Sequence, residues 1–462
     1  MRERFDFYGY NSPWDGKYYV DGDVYFLGED YRSVKRYKEY QAVGFNMLLL
    51  QHVNTYSGEE WKTSACKKCM DTAYKAGIDR IIVSDKRLKS LCEEKELIGK
   101  NGKFTDVDGL KNYMEDCLKP YKSHPAFYGV QLFDEPPWYK LKAYAIVHKT
   151  LSEMGIKAQS NLLNLCAPKL LAEHTSTPEK DYENYLNYFA ENSGCDYLMT
   201  DEYAFRRDRA LSKYTLPTFM ILAKVCKERN IELRLVLQSF SQEGIIASKN
   251  RPGEVEGGIA WRRITEKDMY WQLNLAMGFG CKEYSFFTYF TKYQRVFNGA
   301  RAVSDGIDGA AFINLDGTRT KLYYYTKKII GEMKKFEPVL INYNFEKANF
   351  FVPKGKSLVD FESTAKITDC GNAEISVITK DCPYIVTELK NGKGGKMFMV
   401  QNIDNPLVET LDKKRIKKVK IDLGKYADTA KFYYKGERVN RIHENGVITE
   451  KLSVGQALFI EV

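Results

Sequence analysis

Residues 124–138 read His124-Pro-Ala-Phe-Tyr-Gly-Val-Gln-Leu-Phe-Asp134-Glu135-Pro-Pro-Trp138. The apolar run Phe127–Phe133 has the pattern of a fully buried strand. It ends in two carboxylates and then Pro136 and Pro137. Proline has no N–H to give to a ladder, so pairing must stop there. A buried strand that carries a carboxylate to its C-terminal tip and then breaks is how an α/β barrel builds an active site. Trp138 follows at once, and an aromatic ring beside carboxylates suits a sugar site. The plainer reading is a solvated Asp-Glu turn after a strand, and the remainder of the chain weighs against it.

Working outward, strand-like runs alternate with helical ones up to about residue 338. The first strand is either Phe5–Tyr10 or the segment beginning at Val24. The others are expected at 44–52, 77–85, 127–133, 157–164, 196–203, 231–238 and 283–289. Helices are expected through Cys66–Ala76, Gly109–Leu118, Lys140–Met154, Tyr182–Asn192, Leu216–Arg229, Thr265–Gly278 and Tyr323–Phe336. Glycine sits between a helix and the next strand in "KAGIDRIIV", "EMGIKAQS", "ENSGCDYL" and "GFGCKEYSF", the expected use of glycine in αβ turns. The GFG before Cys281 precedes a strand, the wrong side for a phosphate loop. Eight alternations predict a (β/α)8 TIM barrel over residues 1–338. Short strands separated by turn signals such as Asn391-Gly-Lys-Gly-Gly395 then predict a small all-β sandwich domain over 339–462.

Composition bounds the function. At 462 residues the chain is too long for one core, and 44% hydrophobic with 28% charged residues is the balance of a globular protein. No apolar run reaches about 18 residues, so no membrane span is expected. The N-terminus lacks the apolar core of a signal peptide. The expectation is a cytoplasmic protein, or a secreted one whose signal has been removed, with the cytoplasm favoured. The net charge of +9 is mild. The Lys413–Lys420 run interleaves with Ile416 and Val419 and reads as a solvated strand edge, so no nucleic-acid partner is expected. Cys66 and Cys69 form a CxxC, but no second CxxC or His pair accompanies it. With five histidines in all, neither a metal nor a cofactor is expected. Aromatic residues make up 14% of the chain, and the tyrosines among them are suited to sugar rings, having an apolar face and a polar tip.

The strand ends supply the chemistry. They carry Gln51 and His52, Ser84 and Asp85, Asp134 and Glu135, Asn161 and Asn164, Asp201 with Glu202 and Tyr203, Gln238, and Thr288 with Tyr289. Glycoside hydrolysis needs a protonated carboxyl and an ionised one. Glu135 is the candidate acid, and Asp134 is an alternative or an orienting group. The second carboxylate is Asp201 or Glu202, with Asp201 favoured; alternation would turn only one of them to the axis. Glu243, in the loop after the seventh strand, is a further candidate. His52, Asp134, Trp138, Asn161, Tyr203, Gln238, Trp261 and Tyr289 are candidate sugar contacts, and core packing is the rival reading for the aromatic ones.

Four segments in this order carry a family resemblance: "HPAFYGVQLFDEPPW" (124–138), "CDYLMTDEYAF" (195–205), "WRRITEKDMYWQLNLAMGFGCKEYSFFTYF" (261–290) and "DGTRTKLYYYTKKIIGEMKKFEPVLI" (316–341). They resemble the bacterial glycoside-hydrolase barrels of the glycosidase and β-galactosidase-like superfamily. The ending "GVITEKLSVGQALFIEV" (446–462) is similar to that of their β-sandwich appendages. The resemblance implies that Glu135 is the acid/base and favours Asp201 as its partner, because "TDEYAF" resembles an Asp-x-Tyr-Pro tip on the sixth strand. Two positions depart from the pattern. Asp134 stands where an Asn usually precedes the acid, and Gln238 stands where the nucleophile Glu ends the seventh strand. The retaining mechanism is therefore not carried over. Either Asp201 or Glu202 is the base or nucleophile, or catalysis is lost and the barrel only binds carbohydrate. The expected substrate is an oligosaccharide or glycoside. A barrel acting on a phosphorylated metabolite would want a Gly-rich loop late in the barrel, and "FTYFTKYQR" does not provide one.

Overall fold

A computed structural model describes residues 3–10, 12–20, 23–26, 29–172, 177–206, 211–241, 261–290, 293–295, 302–304, 311–314, 316–353, 373–378, 382–407 and 418–462. Eight parallel strands lie in chain order around a ring: β1 (Asp6–Gly9), β2 (Leu48–Leu50), β3 (Ile81–Ser84), β4 (Phe127–Asp134), β5 (Lys157–Asn161), β6 (Tyr197–Glu202), β7 (Glu232–Gln238) and β8 (Glu283–Phe287). Strands β2 to β5 pair in sequence, as do β6, β7, β8 and β1. Two seams close the ring. At one, Leu162 N–H donates to Met199 O at 2.8 Å beside the parallel bridge Leu162–Thr200. At the other, Asn46 and Met47 N–H both reach Phe7 O, and the Asn46 side chain accepts from Phe7 N–H at 2.8 Å. The result is a (β/α)8 barrel.

The helices are α1 (Val34–Ala42), α2 (Ala65–Lys75), α3 (Lys86–Leu91), α4 (Val107–Leu118), α5 (Trp138–Glu153), α6 (Pro178–Ser193), α7 (Thr215–Arg229), α8 (Glu266–Gly278) and α9 (Lys321–Leu340). Gly194, at φ 62°, ends α6, and Gly280, at φ 80°, turns the chain from α8 into β8, the left-handed geometry that suits glycine at an αβ turn. Cys66 and Cys69 are buried on α2. Among the described residues, no helix is long and apolar enough to cross a membrane. Of the two candidates for the first strand, Phe5–Tyr10 supplies it. The segment at Val24 instead pairs antiparallel with Lys17–Val20.

Beyond α9 the chain is antiparallel β. Strands β9 (Tyr343–Phe351), β11 (Tyr384–Asn391), β12 (Lys396–Asn402), β14 (Lys431–Tyr434), β15 (Glu437–Val439) and β17 (Ala457–Glu461) form one sheet, in the order β9-β11-β12-β17-β14-β15. Strands β10 (Ser376–Val377), β13 (Lys418–Asp422) and β16 (Val447–Lys451) form the other. Alternation in β12 shows why the large sheet is buried on both faces. Met397 and Met399 join the barrel-side core, whereas Phe398 and Val400 join the core between the two sheets. Gln401 donates to Trp271 O of α8 at 2.8 Å, joining the sheet to the barrel. Strand β9 begins earlier than the apolar run at Asn349. It is an edge strand, and an edge accommodates the charged Glu346 and Lys347.

Candidate active site

The barrel brings three carboxylates to its C-terminal mouth, and local irregularity explains how. In the β4–β5 ladder, Gln131 pairs with Gln159 but Asp134 pairs with Asn161. Three steps on β4 thus match two on β5, which is a bulge. A bulge reverses the facing of every later residue. Without it Phe133 would face the axis; with it Asp134 does, and its Oδ1 accepts from Asn161 Nδ2 at 2.9 Å. Glu135 should then point outward. Instead it adopts φ 50°, a left-handed conformation that costs a non-glycine residue roughly 1–2 kcal/mol. Its N–H is held by Asn161 O at 2.9 Å. That turn returns the side chain to the mouth, within hydrogen-bonding reach of Asp201. Strain of this kind gathers at functional sites.

Strand β6 separates Asp201 from Glu202. Met199 lies inside the barrel, beside Tyr8 and Gln159, so Asp201 has the inward phase. Asn164 Nδ2 holds its backbone O at 2.9 Å, and the Tyr203 phenol is within hydrogen-bonding reach of its carboxylate. Glu202 points the other way. It is 2% exposed, accepts from Thr215 Oγ1 of α7 at 2.7 Å, and burial pushes it up to about 7. It therefore braces the helix layer and does not face the mouth.

The electrostatics follow from the crowding. The charge of Asp201 is the first cause that raises Glu135 far above the usual carboxylate range, followed by loss of solvation and the charge of Asp134. Asp201, 5% exposed, is raised mainly by burial and then by Asp134. Asp134 and Glu135 themselves touch solvent in the mouth. The like charge is accordingly the stronger reason for the shift of Glu135, and the pair shares one proton across the neutral range. Lys89 of α3 is the nearby cation. It donates to Gln131 Oε1 at 2.9 Å; loss of solvation raises Asp134 above the usual aspartate value, and the Asn161 hydrogen bond and the Lys89 charge offset only part of that rise.

Aromatic rings stand beside these carboxylates. Tyr203 meets Phe240, Trp261 and Phe287 with ring centroids 4.9, 5.8 and 6.0 Å away, and Tyr10 meets Phe287 at 5.9 Å. Trp261 Nε1 donates to Tyr203 O at 3.3 Å. The structure therefore brings Trp261 and Tyr203 together at the mouth. His52 stands exposed at the end of β2, in a left-handed turn at φ 54°.

Three expected sugar contacts are corrected. Gln238 is fully buried. Its Oε1 accepts from Phe205 N–H, and its Nε2 donates to the carbonyls of Phe205, Phe240 and Arg262. It ties the loop after β6 to both ends of the loop after β7 and lacks a free polar atom for sugar. Tyr289 is 1% exposed among Tyr40, Phe45 and Phe312, so it is core. Trp138 turns onto Tyr188 of α6, 5.3 Å between centroids, and packs in the helix layer. Glu243 lies outside the described residues. Sequence reasoning missed Tyr10 and Lys89. The Tyr8, Tyr10 alternation could have revealed Tyr10, had the first strand been settled.

Among the described residues, no group of three or more His, Cys, Asp or Glu could hold a metal ion. A cavity of about 230 Å³ opens at the opposite end of the barrel, lined by His148, Lys157, Tyr197, Arg234 and Glu283. The three carboxylates are not among its walls.

No protein-family profile matches the chain, and no curated protein does. Several solved structures are similar to it in overall fold. A family 27 β-L-arabinopyranosidase from Geobacillus stearothermophilus is 11% identical over 99% of this chain and 95% of that one, with a TM-score of 0.49. An Anoxybacillus α-amylase is 13% identical over 99% and 97%, with a TM-score of 0.48. A family 5 glycoside hydrolase from Bacteroides vulgatus is 11% identical over 93% and 85%, with a TM-score of 0.48.

Proposed function

We propose that this chain hydrolyses the glycosidic bond of an oligosaccharide or glycoside, with Glu135 as proton donor to the departing oxygen. The observation that carries this reading is the meeting of Asp134, Glu135 and Asp201 at the barrel mouth, where a neighbour's charge keeps a proton on Glu135 at neutral pH. A sugar alkoxide is a poor leaving group, so the acid is the first requirement of the reaction. The transition state carries positive charge at the anomeric centre, which carboxylate charge at the mouth stabilises. The rim of Tyr10, Tyr203, Trp261 and Phe287 offers apolar surface to the sugar ring.

Asp201 is the second carboxylate, with a more restricted role than base or nucleophile. Carboxyls about 5–5.5 Å apart mark retaining enzymes, and about 6.5–9.5 Å inverting ones. Hydrogen-bonding reach is closer than both. Asp201 thus stands beside Glu135, not across a sugar from it, and tunes the acid. Asp201→Asn removes the charge that raises Glu135, so Glu135 loses its proton at lower pH. The alkaline limb of kcat/KM against pH should move down by at least one unit; an unmoved limb would reject this pairing.

The test of the reading is turnover of a panel of aryl glycosides and oligosaccharides, with sugar binding measured alongside. Product formation supports it. Sugar binding without product would favour a non-catalytic carbohydrate-binding barrel, the reading to which the Gln238 tip of β7 lends weight.

A further inference from the structure

The basic run Lys413–Lys420 reads in sequence as a solvated strand edge, but its described end begins β13, and β13 is not an edge. It is the central strand of the small sheet, between β10 and β16. Alternation sorts the side chains of the three strands. Val377, Val419, Ile421 and Ile448 enter the core between the two sheets. Lys418, Lys420, Thr449 and Lys451 are exposed on the other face. Ile378, whose N–H donates to Lys420 O at 2.9 Å, is 49% exposed there too. The large sheet lies between the small one and the barrel, so this face looks away from the barrel.

The register crowds positive charge on it. Lys418 stands directly opposite Lys451, and Lys420 stands opposite Thr449, about 7 Å further along the strand. Like charges directly opposite destabilise a strand pair. A lysine that guards against unwanted pairing belongs on an edge strand, whereas Lys418 and Lys420 are on the central one. Among the described residues, neither Lys418 nor Lys451 forms an ion pair. The acid among the outward residues is Asp422, at the far end of β13, where it accepts from Gly424 N–H at 2.9 Å. The face therefore carries an arrangement that works against its own sheet and that an anionic partner would relieve.

We propose that this face binds an acidic polysaccharide, a chain bearing carboxylate or sulfate groups, and so holds the barrel on a polymeric substrate. The choice of a polysaccharide rests on the glycosidase reading above. The charge pattern favours a row of separate anions, because lysine presents a compact point charge on a flexible stem. Single-stranded nucleic acid is held by rings that stack on its bases as well as by basic groups, and the outward residues of these three strands include no ring. A membrane surface takes a broad apolar face beside the basic one; the exposed large apolar side chain here is Ile378. A polymer held on the sandwich stays close to the mouth between cleavages, a gain in effective concentration that a small glycoside does not share.

The test compares the whole wild-type chain with the double variant Lys418→Thr, Lys451→Thr. Binding is measured to polygalacturonate, dextran sulfate, uncharged dextran, single-stranded DNA and phosphatidylserine vesicles. Threonine is at home in a strand, and the change removes an opposed like-charge pair, so the variant should fold with an unchanged or higher denaturant midpoint. The expected result is that wild type binds at least one acidic polysaccharide, and the variant binds it about tenfold more weakly or worse. Which of the two is bound tells carboxylate from sulfate. Binding should fade between roughly 50 and 300 mM salt, as exposed charges are screened. Small aryl glycosides should be turned over equally by both proteins. Equal binding by the variant, binding of neither acidic polysaccharide, equal binding of uncharged dextran, or tighter binding of the DNA or the vesicles overturns the inference. Turnover is read separately. Glycosides cleaved without acidic-polysaccharide binding sink this inference alone, and acidic-polysaccharide binding with no glycoside cleaved sinks the glycosidase reading alone.

Discussion

Glu135→Gln should lower kcat/KM by about 10²–10⁴ on glycosides with poor leaving groups, the usual worth of a positioned general acid. On 2,4-dinitrophenyl glycosides it should do far less harm. A dinitrophenolate departs without a proton, so only the step that needs the acid suffers. Glutamine keeps the size and polarity of the side chain, and the backbone that forces Glu135 to φ 50° is held independently by Asn161 O and by the prolines that follow. Sugar binding should therefore survive. The alkaline limb of the pH profile should vanish with the carboxyl, because that limb is the loss of the Glu135 proton. Equal losses on good and poor leaving groups would mean that Glu135 holds the site together and donates no proton. A variant as active as wild type on alkyl glycosides would remove Glu135 from the chemistry.

Much of this site was legible before the structure was. Parallel strands covered on both faces read as apolar runs, and the polar residue that ends each run marks the barrel mouth. Asp134, Glu135 and Asp201 are such strand-end residues, and the barrel brings them together. What sequence could not supply was phase. The bulge between Gln131 and Asp134 leaves no trace in composition, yet it decides whether Phe133 or Asp134 faces the axis. Choosing Asp201 over Glu202 needed an inward neighbour, and Met199 becomes one only once Tyr8 and Gln159 are seen beside it. Gln238 misled for a different reason. A polar strand end looks the same whether it meets substrate or backbone, and its partners Phe205, Phe240 and Arg262 come from two loops, with Phe240 and Arg262 at opposite ends of one of them. Tyr289 failed likewise, being one aromatic in a chain where most aromatics are core.

Those loops depend on one buried ion pair, and its removal should have the largest effect on stability. Asp268 is fully buried, and both of its oxygens bond the Arg262 guanidinium, at 2.6 and 2.7 Å. The same carboxylate accepts from Thr265 N–H and Thr265 Oγ1, completing the capping box that starts α8. Asp268→Ala would remove the cap and strand a guanidinium that is only 9% exposed. Breaking a buried pair from one side costs about 3–5 kcal/mol, and that loss should appear as a lower denaturant midpoint. Asp268→Asn should cost less, because an amide oxygen still accepts from Thr265 while the countercharge is lost. The consequence reaches the mouth. Arg262 N–H donates to Phe205 O, and the adjoining bridge from Arg206 to Trp261 sets that indole against Tyr203. Loosening Arg262 should displace the aromatic rim while Asp134, Glu135 and Asp201, carried by β4 and β6, keep their places. KM should then rise several-fold with kcat little changed. A fall in kcat with KM unmoved would show instead that the pair supports the carboxylates themselves.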